Sequence, residues 1–218
     1  MKLGQLAAIF LGTAMMVSAL PGYAQAGPIY FGTGWSVPIE TARDVPPADS
    51  FPGSEATEIV QFTADALNFS GDCEGCYNLG GFLSSGGALL SATYLNGADA
   101  STDLDGTLWQ FTGTALFTNG QTYSVRHDDG VRLYVNGIAV LAEPLFTPPV
   151  IHSFTYTGET GNQSFSFLFA NCCATEADFQ IELTPAQEDL VPAPEPGSLV
   201  LLGTGLLAAA RARRRRRA

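Results

Sequence analysis

Basic side chains are scarce in the middle of this chain, and their scarcity restricts its function more than any other feature. Ten of the 218 residues are Lys or Arg, against 21 Asp or Glu. Seven of the ten stand at the two ends, as Lys2, Arg211 and Arg213 to Arg217. Between residues 27 and 193 only Arg43, Arg126 and Arg132 remain, against 20 acidic residues, for a net charge of −17. A surface of that sign repels DNA, RNA and anionic lipid. It tolerates neutral sugars and attracts divalent cations. Histidine is nearly missing too, with His127 and His152 the only two, and no G-x-S-x-G, zinc-protease or phosphate-loop motif occurs. His127 adjoins an acidic pair, where a base beside carboxylates can be catalytic, yet a His ending a half-solvated strand is the simpler reading. The acidic residues of that pair are adjacent, so they do not supply the separated carboxylates of glycoside hydrolysis. Also lacking between residues 27 and 193 are any stretch of 3.6-residue periodicity and any internal repeat.

What remains is a span of short apolar and aromatic stretches separated by Gly and Pro, the pattern of an all-β domain. Its length suits one domain with a sizeable core. Strands are expected at Glu58 to Phe69, Ala88 to Leu95, Thr107 to Phe117, His152 to Tyr156, Phe165 to Ala170 and Ala177 to Leu183. Gly27 to Gly53 holds Pro28, Pro38, Pro46, Pro47 and Pro52, which argues against a central strand for most of it. Gly32-Thr33-Gly34-Trp35 is expected to fold over one edge, anchored by Trp35. Thr118 to Gln121 reads as a hairpin turn into Tyr123.

The stretch Tyr123 to Val140, YSVRHDDGVRLYVNGIAV, organises the rest. Tyr123, Val125 and His127 alternate with polar residues, as do Val131, Leu133 and Val135, giving two strands. Asn136-Gly137 supplies the positive φ angles of a tight primed turn, so the chain runs back from Ile138 to Leu141. Between the two strands lie Asp128-Asp129-Gly130, carboxylates that a sheet interior would not hold without partners, and they are placed in a loop at the sheet edge. Such a loop can supply two hard oxygen ligands to calcium, or its carboxylates can cap nearby amides as Asp does in turns.

The run GQTYSVRHDDGVRLYVNG resembles the signature of the protective-antigen lectin domain family, found in bacterial toxins, glycosidases, fibro-slime proteins and yeast adhesins. The resemblance implies an antiparallel, jelly-roll-like β-sandwich. In the adhesin members the two Asp residues are joined by a cis peptide and bind a calcium ion that holds sugar hydroxyls. Carried over, it makes Asp128 and Asp129 metal and glycan ligands, with Asn171, between the last two strands, as the third. The chain departs from the adhesins directly afterwards, where Cys172-Cys173 replaces their sugar-selecting residues. A further acidic loop, Asn96 to Gly106, holds Ser101-x-Asp103-x-Asp105-Gly106, which partly resembles an EF-hand, but the twelfth position counted from Ser101 is Thr112 and no helices flank it. A solvated loop is expected there.

Four cysteines favour disulfides if the chain is exported, as its two ends imply. Cys172 and Cys173 are neighbours and pair poorly in ordinary bridge geometry. Two bridges joining Cys73 and Cys76 to Cys172 and Cys173 are expected, in either pairing, each closing a loop of about 100 residues and contributing about 4 kcal/mol in the chain-entropy model. The zero spacing of Cys172 and Cys173 disfavours a zinc site.

Both ends read as addresses. Lys2, an apolar run from Leu6 to Leu20 and Ala24-Gln25-Ala26 make residues 1 to 26 a secretory signal. Pro194-Glu195-Pro196, an apolar run from Gly197 to Ala210 and the arginine cluster resemble the PEP-CTERM sorting signal of Gram-negative bacteria, which a membrane protease, the exosortase, processes. The arginines stay cytoplasmic while the apolar run inserts transiently in the inner membrane. The expected layout is a signal (1–26), a sandwich domain (27–185), a linker (186–193) and a sorting signal (194–218). Together these features imply an exported, non-catalytic surface or matrix protein that binds exopolysaccharide glycan through calcium, and no nucleic acid. A matrix protein of the same fold that binds no sugar is the alternative.

Overall fold

Alternation decides which side of each strand is buried: Tyr123, Val125 and His127 are buried while Thr122 and Ser124 between them are exposed. The computed structural model describes residues 28–70, 77–173 and 177–186. The secretory signal, Cys73, Cys76, most of the linker and the sorting signal lie outside the described residues. In chain order the elements are β1 (Tyr30–Ser36), α1 (Ile39–Ala42), β2 (Thr57–Ala64), β3 (Leu67–Ser70), α2 (Leu79–Ser84), β4 (Leu89–Tyr94), β5 (Thr107–Phe117), β6 (Thr122–Asp128), β7 (Val131–Val135), β8 (Ile138–Glu143), β9 (Val150–Thr155), β10 (Gly161–Asn171), β11 (Asp178–Ile181) and β12 (Thr184–Pro185). They form an antiparallel β-sandwich. One sheet has eight strands, in the order β4-β2-β1-β5-β10-β7-β8 with β12 on β5, and the other has four, in the order β3-β11-β6-β9.

Aromatic rings fill the space between the sheets. Phe111 of the large sheet stacks on Phe179 of the small one at 4.5 Å between centroids and 4° between planes, and Phe69 stacks on Phe111 at 5.5 Å. Trp109, Phe82 and Phe169 extend the cluster toward the end of the sandwich where β6 and β10 finish. Each fully buried ring contributes roughly 2 to 3 kcal/mol. Helix α2 buries Leu79, Phe82 and Leu83 on one face, and the Asn78 side chain caps it by accepting from the Gly81 amide at 2.8 Å. Six residues containing two glycines were too short to show as helical periodicity.

Three expectations about strands are corrected. Tyr30 to Ser36 is a central strand, paired with β2 on one side and β5 on the other. The prolines at 28 and 38 bracket it, so neither removes one of its amide donors. Its glycines are packing requirements: a Cβ at Gly32 would overlap the Phe62 ring, and one at Gly34 would lie 2.8 Å from Trp109 Cζ3. Trp35 is half-buried and meets Phe51 edge to face at 5.4 Å. Glu58 to Phe69 is two strands in different sheets, broken at Asp65-Ala66. The Asn119-Gly120 turn and the Asp128-Asp129-Gly130 segment do not close hairpins, because β6 lies in the small sheet while β5 and β7 lie in the large one. Asn136-Gly137 does close one, joining β7 to β8 with φ of 50° and 77°.

Candidate metal and glycan site

Crossing from sheet to sheet gives the acidic pair its environment. The Asp129 amide donates to the Ala170 carbonyl at 3.1 Å, and the Ala170 amide donates to the Gly130 carbonyl at 2.9 Å. These bonds tie the crossover to the end of β10. Gly130 is required there, since a Cβ would overlap the Pro144 carbonyl. The Asp128–Asp129 peptide bond is cis. Both side chains are buried, at 4% and 2% exposure, rather than standing in an open edge loop. Asp129 Oδ2 accepts from the Cys172 amide at 2.7 Å, and Oδ1 accepts from the Thr147 amide at 3.4 Å. Burial drives the Asp129 carboxyl pKa up; the two amides and the Asp128 side chain pull against that, and the nearby Asp105 charge adds to it.

Asn171 is held by a chain of hydrogen bonds that starts in the core. The Trp109 indole donates to Thr107 Oγ1 at 2.8 Å, and Thr107 Oγ1 donates to the Leu104 carbonyl at 2.7 Å. Asn171 Nδ2 donates to that same carbonyl at 2.9 Å. Its Oδ1 is buried and has no hydrogen-bond partner among the described residues. A buried acceptor left so costs about 1 to 3 kcal/mol. Ala170 and Cys172, on either side of Asn171, both bond to Asp129. Asp128, Asp129 and Asn171 therefore share one pole of the sandwich. Their donors are hard oxygens in an excess of negative charge, the chemistry that calcium takes. Among the described residues no three His, Cys, Asp or Glu side chains form a metal cluster, so a cation here would rest on two carboxylates, the Asn171 carbonyl and backbone oxygens.

Three parts of this pole escaped the sequence. The loop after β8 supplies the Thr147 amide and leaves Leu145 and Phe146 67% and 55% exposed beside the acidic pair; Pro148-Pro149 marked the loop but not its destination. Leu104 and Asp105 come from the Asp99 to Gly106 loop, whose carboxylates are solvated as expected while Leu104 is buried. Asp178 is the cross-strand neighbour of Asp128 and is 1% exposed.

His127 serves as a post. Its Nδ1 donates to the Asp129 carbonyl at 2.5 Å, which leaves Nε2 to accept from His152 Nδ1 at 2.8 Å. Burial lowers its pKa. With both ring nitrogens engaged it holds the crossover in place.

The expected pairing of cysteines is corrected. Cys172 is bonded to Cys173. Each sulfur forms one such bond, so neither is available to Cys73 or Cys76, which lie outside the described residues. Cys172 is fully buried and places its amide on Asp129.

Residues 192–217 match the PEP-CTERM protein-sorting motif. The chain carries a PEP-CTERM sorting signal. It is thus an exported protein that exosortase sorts to the cell surface after transient membrane anchoring. The last described strand, β12, pairs with Leu116 and Ala115 of β5, toward the end of that strand away from Thr107 and Asn171. No curated protein matches the chain by sequence. Among solved structures it is similar to the PA14 domain of the antifreeze protein MpAFP, with 18% identity, TM-score 0.47, and coverage of 76% of this chain and 88% of that one. The PA14 sugar-binding domain from an RTX adhesin gives 22%, 0.46, 72% and 89%. The A domain of epithelial adhesin 6 from Candida glabrata, solved in complex with Galb1-3GlcNAc, gives 11%, 0.43, 78% and 84%.

Proposed function

We propose that this exported surface protein is a non-catalytic, calcium-dependent binder of extracellular glycan. The observation that carries the proposal is the buried Asn171 Oδ1, without a donor among the described residues, beside two buried carboxylates. A calcium ion satisfies that oxygen and neutralises the charge that burial penalises on Asp129. Asp128, Asp129 and Asn171 hold the ion, and its remaining positions take vicinal sugar hydroxyls. The exposed Phe146 offers the apolar face of a ring to the same sugar. Export and sorting to the cell surface bring this rim into the reach of exopolysaccharide. His127 supplies no free base, and the adjacent carboxylates leave no gap for a catalytic water.

Titration calorimetry of the exported, processed protein tests the proposal, first with calcium and then with a glycan panel with and without chelator. Calcium heat that Asp128→Asn removes, followed by glycan binding that chelator abolishes, is the expected result. Calcium binding unchanged by Asp128→Asn overturns the site. Calcium binding without any glycan response leaves a structural matrix protein.

A further inference from the structure

A concave surface of about 750 Å³ lies across the outer face of the four-stranded sheet. The register places Asn68, Gln180, Arg126 and Ile151 side by side on β3, β11, β6 and β9, one rung running across the strands. At about 4.8 Å between strands that rung spans roughly 14 Å, room for a short run of sugar rings. Ser124 adds a hydroxyl one step along β6, and Glu182 a carboxylate. One buried residue sets two of these groups: Asp178 Oδ2 pairs with Arg126 Nε at 2.5 Å, and Asp178 Oδ1 accepts from Gln180 Nε2 at 2.9 Å. Arg126 is still 40% exposed while Asp178 is 1% exposed, so the guanidinium and the amide are presented to solvent from a fixed base.

We propose that this groove is a second glycan site, independent of calcium, that takes an internal segment of a neutral polysaccharide. Amides, a hydroxyl and a guanidinium-carboxylate pair offer donors and acceptors together, which matches sugar hydroxyls that both give and accept hydrogen bonds. The exposed Ile151, at the end of the rung, meets the C–H face of a ring. Acidic polymers do not fit: the Arg126 charge is matched by Asp178, Asp65 and Glu182 also line the groove, and the span from 27 to 193 carries −17. The groove opens across the strands instead of into a closed pocket, so a chain can pass through it. With a rim site at one pole and a groove on the flank, one molecule links two polysaccharide chains.

An array of linear neutral hexasaccharides with glucose, galactose, mannose or xylose backbones, probed with the exported, processed protein in excess chelator, tests this. Binding to at least one backbone is expected, weakened about tenfold by Gln180→Ala or Asn68→Ala, the loss of one or two hydrogen bonds. Ser124→Trp, at an exposed position that leaves Asp178 paired, blocks the groove and abolishes binding in chelator. No binding in chelator, or binding in chelator untouched by Ser124→Trp, overturns the groove while leaving the calcium-dependent rim site standing.

Discussion

Two acidic segments in this protein, Asp128-Asp129 and Asp99 to Asp105, are built from the same side chain and meet opposite fates. In the Asp99 segment, Asp99 accepts from the Ser101 amide and hydroxyl at 2.8 and 2.6 Å and is fully exposed, so its carboxylate is satisfied within its own turn. In the Asp128 segment, the carboxylates are carried between two sheets and buried, and that of Asp129 is satisfied by amides 18 and 43 residues away. The spacing of acids along the chain does not separate these cases, and if anything the Asp99 segment is the closer match to a cation loop. What separates them is the strand pairing that closes around one and leaves the other in water.

Calcium affinity puts this contrast to its most severe test. Asp129→Ala should weaken calcium binding roughly 100-fold or more, as expected for losing a charged ligand, while Asp103→Ala changes it less than about threefold by calorimetry. Equal losses would show that the exposed loop is the cation site. Next come the glycines of the two segments. Gly130→Ala should destabilise by about 2 to 4 kcal/mol in urea unfolding, because backbone must move. Gly97→Ala, which has open space but a φ of 83°, should cost about 1 kcal/mol.

Titration separates Asp129 from Asp99, because these two acids shift in opposite directions. In chelator, the raised Asp129 pKa means that the folded form takes up a proton before the unfolded chain does. Stability from this group therefore rises as pH falls through its folded value and levels off below about 3.9, the unfolded value. Asp129→Asn removes that rise in unfolding measured across pH. With calcium present the sign reverses, since protons compete with the ion and its stabilisation fades on acidification. The lowered Asp99 pKa works the other way: its contribution is present above the unfolded value and is lost as pH falls through the folded one. The smallest effect is expected from Asp99→Asn, a melting temperature within about 2 °C of the parent.

Much of the sandwich was legible because alternation is a local property. Thr107 to Phe117, Val131 to Val135 and the Asn136-Gly137 turn needed only their own residues. Tyr30 to Ser36 was misread because proline content was averaged over a long window, while pairing depends on which amides the prolines occupy. The Asp-Asp-Gly segment was legible as a candidate site through family resemblance, yet its burial was not. Thr147, Leu104 and Asp178 reach the same pole only through strand register, and nothing in their local sequence points there.

The order of residues was enough to settle the address, the charge and the faces of the strands, since a sorting tripeptide, a count of side chains and a period of two are read along one dimension. Folding in three dimensions settled which strands share a sheet, that Cys172 bonds Cys173, and that an oxygen of Asn171 lies buried without a donor among the described residues. Those outcomes depend on which distant groups come together when water is excluded, and exclusion of water is a property of the packed whole.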